Sequence, residues 1–227
     1  MLPLRDSQPG LSRPLVTIAL VLANLAVWVL FQLPDLDGSL GDAAYFPCAL
    51  EGSCRSPGID WPLTVVTSMF MHGGWGHLLG NLLFLWIFGN NVEDAMGHVR
   101  FLLFYLLAGA AATMAQTAVT LLSEGDAAAA IPNVGASGAI AGVMGAYIVL
   151  YPHARVLTLV GIIPIEVRAI WYLGAWFLFQ LWIGSFSILQ PQEGGGVAFF
   201  AHVGGFAFGA IGVFAFARRR FLARRGR

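Results

Sequence analysis

Ser137 stands between glycines in Gly135-Ala136-Ser137-Gly138, and His202 stands in Ala201-His202-Val203-Gly204-Gly205. A serine becomes a nucleophile when an imidazole takes its proton, and acyl transfer then needs hydrogen-bond donors for the oxyanion that develops. His77 and Asn81 offer such donors four residues apart, a spacing that puts both on one face of a helix. His72 lies just before them. Each feature alone has a plainer explanation. Small-xxx-small packing accounts for the glycines, a serine can bond back to its own helix, and a single polar residue in a span commonly makes a helix–helix hydrogen bond. His98 and His153 read as solvated turn residues.

Metal chemistry is poorly served: there is no HExxH, and no carboxylate stands near His72 or His77. The two cysteines, Cys48 and Cys54, lie six residues apart in a Gly- and Pro-containing loop, where they form either one disulfide or two free thiols. We therefore expect no metal and no cofactor.

The elements that must position these residues follow from composition. With 58% hydrophobic and 11% charged residues over 227 positions, and a mean hydropathy of +0.75, the chain cannot cover a water-soluble globule with polar surface. A bilayer is the solvent that fits. A net charge of zero argues against nucleic acid as a partner.

A hydrocarbon core needs roughly 20 apolar residues in helical form. Six stretches meet that need, at 14–33, 77–91, 101–122, 134–151, 169–186 and 197–217. The apolar segments 156–165 and 61–71 are too short to span, and the former is expected at the membrane interface. The run from residue 14 reads as a retained first span rather than a cleaved signal, since no small-x-small pattern closes it. The expected organisation is a short cytoplasmic N-terminus over 1–13, a six-helix membrane domain over 14–217 and a basic cytoplasmic tail over 218–227.

All the basic residues are arginines, and cytoplasmic loops carry an excess of such charge. With both termini inside, only Arg55 falls in an outer loop. The same orientation has spans two, four and six entering from the outer side. Ser137 then lies about three residues into its helix, Asn81 about four and His202 about five, or roughly 5–8 Å deep at 1.5 Å per residue. A serine, a histidine and an amide donor thus meet at one shallow level.

Taken together, His72-x4-His77-x3-Asn81 on the second span, Gly135-x-Ser137-Gly138 on the fourth and Ala201-His202 with Gly205-xxx-Gly209 on the sixth resemble the rhomboid intramembrane serine proteases. The resemblance runs from about residue 61 to 217. It implies an all-α, polytopic six-helix bundle in the cell membrane that cleaves transmembrane segments of other membrane proteins near the outer face. It further implies a Ser137–His202 dyad and an oxyanion site made by the Ser137 N–H, His77 and Asn81. His72 would order the first loop, and Glu93 with Gly97 would form the turn between spans two and three, with Glu93 favoured by a helix N-terminus. Where some members stack a tyrosine on the histidine, this chain has Ala141, leaving Phe199 or Phe200 to pack the ring. The first loop has Trp61-Pro62 where the family often has Trp-Arg.

The dyad is expected to work without an acidic third member, because the nearby outer-side carboxylates Glu124, Asp126 and Glu193 all lie in loops. Two other readings remain. A catalytically inactive rhomboid-like protein would bind membrane clients without cutting them, but such proteins usually lack the serine or the histidine. A proton-relaying transporter would show inverted repeats and mid-membrane charges, and neither is visible.

Overall fold

The computed structural model describes residues 2–54, 58–124, 126–189 and 198–222. Arg55, Glu193, Arg224, Arg225 and Arg227 lie outside the described residues, as do the side chains of Glu124 and Asp126.

In chain order the elements are β1 (Leu2–Asp6), α1 (Leu15–Val27, prolonged by a wider turn over Trp28–Gln32), α2 (Leu36–Ala43), α3 (Trp61–Thr67), α4 (Trp75–Met96), α5 (His98–Val119), α6 (Asp126–Ala129), α7 (Ser137–Leu150), β2 (Arg155–Val160), β3 (Ile163–Arg168), α8 (Ala169–Leu189), α9 (Phe199–Phe216) and α10 (Arg219–Leu222). Six of them, α1, α4, α5, α7, α8 and α9, make the helical bundle that the apolar stretches predict. By length and composition, Leu15–Gln32, His98–Ser123, Ala169–Phe186 and Phe199–Phe216 are long and apolar enough to cross a membrane.

The remaining two bundle helices differ from expectation in their bounds. The second runs from Trp75 to Met96, well past residue 91, because Gly97, at φ +84°, is the first residue that leaves helical geometry. The fourth begins only at Ser137 and is 14 residues long, about 21 Å against a hydrocarbon core of about 30 Å. Its residues from Gly138 to Tyr147 are all buried, as a helix that is apolar all round must be. It packs against α4, α5 and α9, within a core that includes Phe88, Phe104, Tyr105, Met144 and Tyr147.

At the arginine-bearing end the helices are joined by a three-stranded antiparallel sheet in the order β1-β2-β3. The segment expected as an apolar interfacial stretch is thus a hairpin, turning at Gly161 (φ +62°) with Val160 opposite Ile163. Its β-branched residues alternate in burial, with Val156 and Thr158 inside, which is the period of a strand rather than of a helix. The N-terminal segment completes the sheet. Tyr147 donates its hydroxyl proton to Asp6 at 2.5 Å, Asn91 donates to the same carboxylate at 2.7 Å, and Asp94 accepts from the Leu11 N–H and the Ser12 hydroxyl.

Candidate active site

At the opposite end of the bundle, Ser137 is the first residue of α7, so its N–H has no acceptor within the helix and forms part of the positive end of the helix dipole. The loop before it is held from two sides. Tyr45, fully buried in the first loop, exchanges both backbone hydrogen bonds with Asn133, and the Gly135 N–H donates to the Ser68 carbonyl at 2.9 Å. Cys48 and Cys54 are joined by a disulfide, which settles the sequence alternative for that loop. Gly135 has φ +123°, and a Cβ there would lie 2.6 Å from His77 Nε2 and 3.5 Å from Ser137 Oγ. Only glycine suits both the backbone and the space. His77 and Ser137 therefore flank one small volume.

His202 is the fourth residue of α9, and α9 lies directly against α7. A Cβ on Gly205 would overlap the Gly138 carbonyl, and one on Gly209 would overlap that of Gly142. Gly205 and Gly209 thus bring the backbone of α9 against the helix that carries Ser137. One wall of a cavity of about 530 Å³ carries Ser137, another His202, and a third His77 and Asn81. The four residues expected to carry the dyad and the oxyanion site thus line one space, and the six expected to support it do not. Asn81 is buried, and its Nδ2 has no hydrogen-bond partner within the protein. Buried donors are rarely left so; a group held in the cavity is a natural acceptor for it. Asn133 lines the same cavity with its Nδ2 also buried and unpartnered, a donor the sequence did not single out.

His72 is not in the cavity lining. It is fully buried behind His77, ring edge against ring face at 5.1 Å, and its backbone N–H and C=O both bond Gln32 at 2.8 Å. It ties the end of the first span to the start of α4. Glu93 differs from its expected place: it sits in the last turn of α4, not in the turn after it. Its carboxylate accepts from the N–H groups of Val16 and Thr17, from the Thr17 hydroxyl and from His98. The helix start it serves is chiefly that of α1, because α1 has no capping side chain of its own.

The His202 ring is packed by Trp176, centroids 5.7 Å apart, rather than by Phe199 or Phe200. Those two turn to α8 at Gly184, where the missing side chain leaves room for them. Gln180, also on α8, brings Oε1 to 2.7 Å from His202 Nδ1. Gln116 of α5 accepts from the Phe200 and Ala201 N–H groups and so caps α9 one residue before the histidine. Gln116 and Gln180 are polar residues inside apolar stretches, which is the signal that could have drawn attention to them. Among the described residues no three His, Cys, Asp or Glu side chains group as a metal site. What the cavity does hold, a hydroxyl at a helix N-terminus, an imidazole and unspent amide donors, is the equipment of acyl transfer.

A family model described as Rhomboid domain matches residues 61–219. The chain is 28% identical over 193 residues to Rhomboid protein 1, mitochondrial, of Saccharomyces cerevisiae, covering 85% of this chain and 51% of that one. It is 30% identical over 218 residues to RHOMBOID-like protein 12, mitochondrial, of Arabidopsis thaliana, covering 89% and 58%. It is 36% identical over 115 residues to Rhomboid protease GluP of Bacillus subtilis, covering 50% and 20%. The chain spans between 20% and 58% of the length of these relatives. With the helical bundle, the shared cavity and a family match over most of its length, the chain belongs to the rhomboid family.

Proposed function

We propose that this chain is an intramembrane serine endopeptidase that cleaves transmembrane segments of other membrane proteins. The observation that carries the reading is the single cavity into which Ser137, His202, His77 and Asn81 converge from three helices. Ser137 Oγ attacks the scissile carbonyl carbon while its proton passes to His202 Nε2. The C=O electrons move onto oxygen, and the Ser137 N–H, His77 and Asn81 receive that oxyanion. Collapse breaks the C–N bond, with the proton on Nε2 going to the leaving amine. Water then attacks the acyl carbon as the same nitrogen takes its proton, and collapse breaks the C–Oγ bond with that proton returning to Ser137 Oγ. The short α7 favours a reaction below the membrane surface, since about 21 Å of helix cannot reach across a core of about 30 Å.

The arginine distribution supports a cell-membrane protein with residues 1–13 and 218–227 cytoplasmic, and with the cavity opening toward the outer side. A cysteine introduced at Arg220 in the Cys48/Cys54-paired chain should resist impermeant thiol reagents in intact cells.

The deciding experiment incubates the purified protein in detergent with a model transmembrane substrate, beside Ser137→Ala and His202→Ala. Either variant should abolish cleavage to a similar low level, since the two act as a unit, and a fluorophosphonate probe should label Ser137 only in the parent. Cleavage that survives Ser137→Ala would reject the assignment. A parent that neither cuts nor takes the probe, yet captures the substrate, would instead be an inactive client-binding rhomboid.

A further inference from the structure

We propose that Gln180 is the positioning residue that holds His202 in the tautomer and orientation a base requires; this rests on the protease reading for its purpose, but not for its geometry. The amide oxygen of Gln180 only accepts, so at 2.7 Å from Nδ1 it requires the proton to be there, leaving the lone pair on Nε2. Imidazole left to itself prefers the other arrangement, with the proton on Nε2, which would leave that nitrogen no lone pair with which to act as a base. In hydrolases with a full triad a carboxylate does this work, and turning that carboxylate into an amide lowers kcat about 10⁴-fold because the wrong tautomer results. Here an amide is native, and its oxygen rather than its nitrogen faces the ring.

Position supports the role. Gln180 is buried within α8, and Trp176 lies one turn earlier on the same helix with its ring beside the imidazole. One helix therefore supplies both the acceptor that fixes the tautomer and the surface that limits ring rotation. Around His202, α5 contributes Gln116, α7 contributes Ser137, and α4 contributes His77, the other titratable ring facing the cavity. No carboxylate among the described residues bonds the His202 ring. An amide keeps the imidazole basic enough to accept a proton while placing no full negative charge in an apolar span, where it would be costly.

The test uses the full chain and three variants, Gln180→Leu, Gln180→Glu and His202→Ala. With ¹⁵N-labelled histidine in nanodiscs, the His202 signal is the one missing from His202→Ala. The parent should show a protonated Nδ1, whereas Gln180→Leu should shift mainly to the Nε2–H form. Turnover of Gln180→Leu should fall about 10–100-fold in kcat, the worth of one hydrogen bond to a charged group, with KM nearly unchanged. Gln180→Glu should keep activity but move the acidic limb of the rate profile up by about 1 pH unit or more, since a carboxylate stabilises the imidazolium. An unchanged tautomer in Gln180→Leu overturns the proposal whether or not the chain is a protease. If Gln180→Leu fails to fold, an unmoved acidic limb in Gln180→Glu overturns it instead. A parent without Ser137-dependent cleavage sinks the protease reading alone, because the tautomer is read without turnover.

Discussion

The α-carbon of Gly205 on α9 faces the carbonyl oxygen of Gly138 on α7 with no room for a side chain between them. Gly138 follows Ser137, and Gly205 lies one helical turn after His202. Backbone contact here, with that of Gly209 on Gly142 one turn further, therefore sets the separation of the two residues on which acyl transfer would depend.

Gly205→Ala should widen that contact. Adding a methyl where backbone must give way costs about 1–3 kcal/mol, so the thermal midpoint in detergent should drop and activity should fall with it. Gly174→Ala on α8 is the control, because a Cβ there meets nothing within 4 Å. Equal midpoints for the two variants would show that the helices part without cost.

Asn81 gives an unusual expectation because its buried Nδ2 is unpartnered in the folded chain. Asn81→Ala breaks no hydrogen bond that this nitrogen makes within the protein, so the melting midpoint should hold or rise slightly. Turnover should still fall about 10²–10³-fold, the usual loss of one oxyanion donor. A stability loss with unchanged kcat would return Asn81 to a packing role.

Glu93 joins α4 to α1 by accepting hydrogen bonds from Val16 and Thr17, and to the start of α5 through His98. Glu93→Ala should destabilise by about 3 kcal/mol or more, as the loss of a buried charged acceptor does. Glu93→Gln, which keeps one acceptor oxygen, should recover part of the loss. Denaturation of the two variants in mixed micelles measures the difference.

Asp6 should make docking of the N-terminal strand depend on pH. Burial holds its carboxyl above the usual carboxylate range, against the lowering effect of the hydrogen bond from Tyr147. A raised folded pKa means that the protonated form favours the docked state. Asp6 thus contributes fully below its unfolded value near 3.8, and the contribution is lost as pH rises through the folded pKa. The protection of the β1 amides, taken as exchange corrected for its intrinsic acceleration with pH, should accordingly fall from acid to neutral pH, and Asp6→Asn should abolish that fall. A parent trend of opposite sign would contradict the assignment.

Residues close along the chain already encode part of the structure. Long apolar runs declare the bilayer and the helices, and His77 with Asn81 share a face because four residues make about one helical turn. The spacing of Gly205 and Gly209 marks a face for close approach. What lies across helices was decided only by tertiary structure. The sequence does not say that Gln180 meets His202 22 residues away, that Gln116 caps α9, or that Glu93 caps α1. A polar side chain in an apolar run must find a partner, but which helix supplies it depends on packing angle and depth. The same holds for the start of α7. The 134–151 run is continuous in hydropathy, yet the helix begins only at Ser137, because Asn133 and Gly135 spend their backbone groups on Tyr45 and Ser68 in the first loop. That competition for hydrogen bonds, invisible along the chain, is what places Ser137 at a helix N-terminus.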